Sequence, residues 1–118
     1  MRKFVSLSLL MLAFVLVTGA AKKKASIRIV NNSKWEIHHL YLSSTTDRQW
    51  GPDQLGDEII EAGGGKYTLT DIDCDKYDIR VVDEDGDECV INDVSLCGDE
   101  MVWKITDKVL LKCENESD

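Results

Sequence analysis

Three groups of side chains in this sequence have types and spacings that could do chemistry. The first is acidic: Asp71, Asp73, Asp75, Asp78, Asp83, Glu84, Asp85, Asp87 and Glu88 fall within one short stretch. Carboxylate oxygens are the ligands calcium prefers, in sets of roughly six to eight. Spacing rules out an EF-hand, because placing Gly86 at the invariant glycine puts Val81 at the first ligand position and Asn92 at the last. A calcium site of another kind requires the acidic loops 71–75 and 83–88 to meet at one end of a β-sandwich, with Asp73, Asp75, Asp85 and Asp87 as ligands. The competing reading is a solvated acidic rim that keeps the protein soluble.

The second group is His38 and His39, the only histidines. Neighbouring residues on a strand face opposite sides, so the two do not share one metal. No serine or cysteine nucleophile is placed beside either, and the chain is expected not to be an enzyme. The third group is aromatic. Trp35, Trp50, Trp103, Tyr41, Tyr67 and Tyr77 could line a carbohydrate or peptide surface on a rigid β scaffold. Trp50 is the best placed, in the longest irregular segment, residues 43–56; Asp53 and Leu55 join it as expected contact residues. The alternative is that Trp50 and Leu55 plug the end of a small core that needs large side chains.

The four cysteines, Cys74, Cys89, Cys97 and Cys113, include no Cys-x-x-Cys pair, so zinc ribbons and thioredoxin-like motifs have no support. Three disulfide pairings are open. Two runs rich in β-branched residues, 77–83 and 88–94, flank Asp85-Gly86, a dipeptide that tolerates the positive φ angles of a tight hairpin. Counting back along both arms from a loop of two or three residues leaves Cys74 opposite Cys97 or one step from it. We favour Cys74 with Cys97, closing the hairpin, and Cys89 with Cys113, tying the hairpin to the last strand. Each bridge would add roughly 2–4 kcal/mol.

These features sit in a chain of 118 residues, room for one domain. Arg2 and Lys3, an uncharged apolar run over 4–21 and small residues at its end have the layout of a signal peptide, residues 1–21. An uncleaved membrane anchor is the alternative. Export and an even cysteine count imply disulfides and a secreted or periplasmic location. The net charge is −8; without Arg2 and Lys3 the mature part keeps 12 of 14 basic residues against 22 acidic ones, a net of −10. Nucleic acid and anionic membrane surfaces are disfavoured as partners, since phosphates need the opposite sign.

The elements that must position these groups are short strands. Residues 25–30 alternate with Ile27 and Ile29 on one face, and Asn31-Asn32-Ser33-Lys34 is turn chemistry. Residues 35–42 form a second strand, in which a bulge near His38-His39 puts Ile37, Leu40 and Leu42 on one face. A short strand over 58–60, a glycine turn at 62–65, a strand over 66–70, the hairpin, and strands over 101–105 and 109–113 follow; residues 114–118 form a loose acidic tail. Seven or eight strands with no convincing helix predict an all-β domain over 22–113, a small antiparallel β-sandwich, immunoglobulin-like or C2-like, stapled by disulfides.

Asn31-Asn32, Leu40-Tyr41-Leu42-Ser43, Trp50-Gly51, Asp53, Leu55-Gly56, Cys74-x-x-Tyr77-Asp78-Ile79-Arg80, an Asp-Gly turn and Leu96-Cys97 form a pattern spanning most of the mature chain. It resembles an uncharacterised family of small secreted bacterial β-sandwich proteins. The resemblance implies export, a compact β domain and the Cys74–Cys97 pairing; Cys89 and Cys113 lie outside it, and it brings no activity, cofactor or catalytic residue. The expected function is an exported, non-enzymatic module that binds a protein or cell-envelope component through residues 43–56. The alternative is a calcium-binding domain using loops 71–75 and 83–88.

Overall fold

The structure, a computed structural model, describes residues 23–116. The expected signal peptide over 1–21 lies outside the described residues. Among the described residues no helix is long and apolar enough to cross a membrane.

Among the described residues six strands form two packed sheets. They are β1 (Lys24–Asn32), β2 (Ile37–Ser44), β3 (Gly65–Asp73), β4 (Asp75–Asp83), β5 (Glu88–Leu96) and β6 (Met101–Thr106), followed by one helix, α1 (Asp107–Glu116). One sheet has the order β3-β1-β6 and the other β2-β4-β5. This is a small all-β sandwich with fewer strands than the seven or eight expected. Residues 58–60 contribute one isolated bridge, Ile60 to Ile37. Residues 109–113 are helical, and α1 continues through Glu116, three residues into the tail expected to be loose. Pairing of β1 with β6 is parallel, so the sandwich is not wholly antiparallel.

The period-two pattern decides which faces are buried. Ile27 and Ile29 of β1, Leu40 and Leu42 of β2, Ile79 and Val81 of β4 and Ile105 of β6 turn inward, all but Leu42 at 1% exposure or less. In β2 the register shifts between Ile37 and His39, the expected bulge, which keeps Ile37 in the core with Leu40 and Leu42. Asn31, the last inward position of β1, is fully buried and organises the turns at 33–36 and 60–65. Within the second turn Gly63 and Gly64 have positive φ. Gly65 is required for a different reason: a Cβ there would lie 2.3 Å from the Glu61 carbonyl oxygen.

The hairpin follows the three-residue loop. Asp83 N–H donates to the Asp87 carbonyl (3.0 Å), Gly86 has φ +83°, and Val81 and Ile79 face Cys89 and Ile91. This register alone would place Cys74 opposite Leu96. A second bulge corrects it: the ladder shifts between Tyr77 and Ile79, where Asp93 adopts φ +57° and donates its N–H to Asp78 Oδ1 (3.1 Å). Asp75 then pairs with Leu96, and Cys74 reaches Cys97 at a Cα separation of 4.3 Å. Both cysteines lie where the chain crosses between sheets, so the bridge pins two crossovers as well as the hairpin base. The second bridge is Cys89–Cys113, but it ties β5 to a helix and not to a strand. Thr106 caps that helix, its Oγ1 accepting from Val109 N–H (3.2 Å), and Asp107 adds a carboxylate to the first turn.

Candidate functional site

Alternation along β4 turns Asp78 and Arg80 outward between the buried Tyr77, Ile79 and Val81. Tyr41 of β2 pairs directly with Arg80, and its ring meets the guanidinium: Arg80 Cζ lies 4.4 Å from the ring centroid. His39 stacks on Tyr41 from the same strand, centroids 6.3 Å apart. Trp50, 38% exposed, completes the row, with Arg80 Cζ 5.2 Å from its ring centroid. Arg80 Nε is buried without a hydrogen-bond partner, and Nη1 is 3.9 Å from the exposed Glu88 carboxylate. The two ring faces add cation–π contacts to this guanidinium, each worth about 0.5–1 kcal/mol.

The loop that carries Trp50 is held to the sheet at both ends. After β2 the chain turns on Ser44, whose carbonyl accepts from Asp47 and Arg48 N–H. It then returns along the β2 edge, Gly51 N–H donating to Leu42 (3.0 Å) and Gln54 N–H to Leu40 (2.7 Å). Asp53 staples the return. Its Oδ1 accepts from Leu40 and Leu55 N–H, both 3.0 Å, and its Oδ2 accepts from His39 Nδ1 at 2.7 Å. Leu55 is 2% exposed, a core side chain that anchors the loop and presents no contact surface. Residues 48–52, between these fastenings, are exposed.

Burial alone would raise the Asp53 carboxyl pKa, but the hydrogen bonds from His39, Leu40 and Leu55 outweigh it and hold the pKa below its usual 3.8. A depressed carboxyl pKa contributes stability that is present above the unfolded value and lost as pH falls through the folded one. The loop staple should therefore be intact at neutral pH and fail below about pH 3.8. Protection of the Leu40 and Leu55 N–H groups, taken relative to their intrinsic exchange rates at each pH, should fall there, and Asp53→Asn should reproduce part of that loss at pH 7. Unchanged protection in the variant would show that the buried Leu55 and the Gly51 and Gln54 backbone bonds hold the loop without the Asp53 charge.

Beside Trp50 lies an open groove of about 460 Å³, lined by Ser43, Thr45, Arg48, Trp50, Asp78, Asn92 and Asp93. Of the expected contact residues, Trp50 faces this groove, Asp53 fixes the loop behind it and Leu55 is in the core. The sequence placed Asp78 only in the acidic cluster and did not mark Arg80, Asn92 or Asp93 as site residues. The outward parity of Asp78 and Arg80 was a usable signal; the position of Asn92 and Asp93 depended on the β5 bulge.

The four aspartates expected to share a cation are not brought together. β4 runs the length of one sheet between the loops, about 26 Å at ~3.3 Å per residue, so Asp73 and Asp75 lie at one end and Asp85 and Asp87 at the other. Asp73 pairs with Lys24 Nζ (2.6 Å), and Asp75 accepts from Lys76 N–H and Ser44 Oγ. At the hairpin tip, oxygens of Asp83, Asp85 and Asp87 come within 4.8 Å of one another. Asp83 Oδ1 there is already the acceptor for Asp85 and Asp87 N–H, which makes it a turn staple.

Fold and groove together define a small disulfide-bonded β-sandwich with an aromatic and polar recess on one sheet. No family model matches the chain, and no curated protein matches it. Among solved structures it is similar to the NMR structure of a protein from Eubacterium rectale, with a TM-score of 0.50 and 15% identity over 75% of this chain and 84% of that one. That likeness concerns the fold.

Proposed function

We propose that this protein is an exported, non-enzymatic β-sandwich module that binds a protein or cell-envelope component through residues 43–56. The observation that carries the proposal is the fixed presentation of Trp50: a large indole, seated on Arg80, on a loop fastened through Asp53 and Leu55 at the mouth of a groove. Recognition surfaces use rigid aromatic residues in this way, because a preordered side chain loses little entropy on binding. Two disulfides in so small a domain fit an oxidising compartment, periplasmic or extracellular. The apolar leader and the resemblance to small secreted bacterial proteins support the same reading.

Trp50→Ala is the test. The variant should keep its fold, losing no more than about 1 kcal/mol with the Arg80 stacking. Adsorption to envelope fragments from a Gram-positive and a Gram-negative bacterium should fall at least about tenfold. Adsorption equal to that of the wild type would reject residues 43–56 as the contact.

A further inference from the structure

We infer that the groove beside Trp50 binds an uncharged saccharide chain, a reading that rests on the contact role of residues 43–56. The lining has one aromatic side chain and six hydrogen-bonding ones, and no aliphatic residue. A pyranose ring asks for this combination. Its hydroxyls pair with planar groups that offer donors or acceptors at a fixed separation, here the Asp93 carboxylate, the Asn92 carboxamide and the Arg48 guanidinium, with Asp78, whose Oδ1 also accepts from Asp93 N–H, beside them. Its C–H face packs on an indole, here Trp50. Lipid and amphipathic peptide ligands need aliphatic pockets that this groove lacks. Strand addition by a peptide is blocked along the adjoining β2 edge, where Gly51 and Gln54 N–H already occupy the Leu42 and Leu40 carbonyls.

Charge selects among saccharides. Asp78 and Asp93 face one arginine, Arg48, in a protein of net charge −8, so uronic acids, sulfates and phosphates are repelled and a neutral sugar is not. Shape agrees: a volume of about 460 Å³ open to solvent suits a chain lying across the sheet, with a few residues in contact.

The experiment is a ¹⁵N NMR titration of the oxidised domain with hexasaccharides of glucose, N-acetylglucosamine, mannose and xylose at millimolar concentration. The Trp indole N–H signals separate Trp50 from Trp35 and Trp103, which lie outside the groove. At least one hexasaccharide should shift the Trp50 indole and Asn92 carboxamide signals saturably. Trp50→Ala and Asn92→Ala, both at exposed positions, should weaken that binding at least about tenfold. No shift with any hexasaccharide, or equal affinity in both variants, overturns the saccharide. If Trp50-dependent adsorption to envelope fragments persists but is abolished by protease treatment of the fragments, the saccharide falls and the contact role of the loop stands. If Trp50→Ala adsorbs like the wild type, the contact role itself falls.

Discussion

Asn31→Asp should destabilise the domain by about 3–5 kcal/mol at pH 7, the largest effect expected of any isosteric substitution in it. Asn31 is wholly buried. Its Nδ2 donates to the carbonyls of Trp35 (2.8 Å), Ile60 (3.2 Å) and Glu61 (3.2 Å), and its Oδ1 accepts from Ser33 N–H (3.0 Å) and Ser33 Oγ (2.7 Å). One carboxamide thus satisfies groups from two turns that lie far apart in the sequence. Replacing the amide nitrogen with a carboxylate oxygen points a charged oxygen at three carbonyls, each of which keeps only its other donor: Ser33 Oγ for Trp35, Ile37 N–H for Ile60 and Gly65 N–H for Glu61. Burial would raise the new carboxyl's pKa, so the penalty is largest when it is ionised and shrinks as pH falls below the folded value. Urea unfolding at pH 7 and again near pH 4 reads both parts. A loss under 1 kcal/mol at pH 7 would mean that the two turns hold without Asn31; a gap that widens in acid would contradict the electrostatic cause.

Asn31 also shows why parts of this structure were not legible from the sequence. Asn31-Asn32-Ser33 has the composition of a turn, which hid that Asn31 continues the inward parity of Ile27 and Ile29 and that residues 60–65 dock on its carboxamide. The hairpin was legible because its information is local. Asp85-Gly86 placed the turn and alternation set the inward face; of the two loop lengths the sequence left open, the structure has the three-residue one. The bulge in β2 was legible for a similar reason, since Ile37, Leu40 and Leu42 share one face only if a residue is skipped between them. Residues 109–113 misled because Val-Leu-Leu resembles a buried strand. The contrary signals were present: Thr106 and Asp107 as a helix start, and Leu110 and Cys113 three residues apart on one face. The parallel pairing of β1 with β6 has no local signature at all. Nor did the Arg80 row, since Tyr41 and Trp50 reach that guanidinium only through the β2–β4 register and the return of the loop. The separation of the two acidic loops could have been foreseen, because a nine-residue strand between them holds them apart.

Removing the two disulfides should have unequal structural consequences even though their contributions through the unfolded chain are alike. Their sequence separations are 23 and 24 residues, so chain entropy assigns each about 3 kcal/mol. Losing both would consume most of the stability of a domain this small, and the fully reduced protein should be largely unfolded at about 37 °C. The single deletions differ in what remains. Without Cys74–Cys97, the β4–β5 ladder still pairs Asp75 with Leu96, Cys74 N–H still donates to Lys23 (2.8 Å), and the Tyr77 hydroxyl still donates to the Asp73 carbonyl (2.7 Å). The sandwich should therefore keep its full spectrum of protected amides in Cys74→Ala/Cys97→Ala. α1 has no comparable reserve: ten residues are too few to stay helical alone, and Leu110 is its one buried side chain among those described. In Cys89→Ala/Cys113→Ala the amides of α1 should exchange freely and the helical circular dichroism should disappear, while both sheets stay protected. Persistent protection of α1 in that variant would show that the Thr106 cap and Leu110 packing hold it without the bridge. The release has a further consequence at the hairpin tip, where Leu110 and Leu111 wall a recess of about 310 Å³ over Val81 and Cys89. Freeing α1 uncovers that apolar floor, so the variant should bind a hydrophobic dye that the wild type and the Cys74→Ala/Cys97→Ala protein do not.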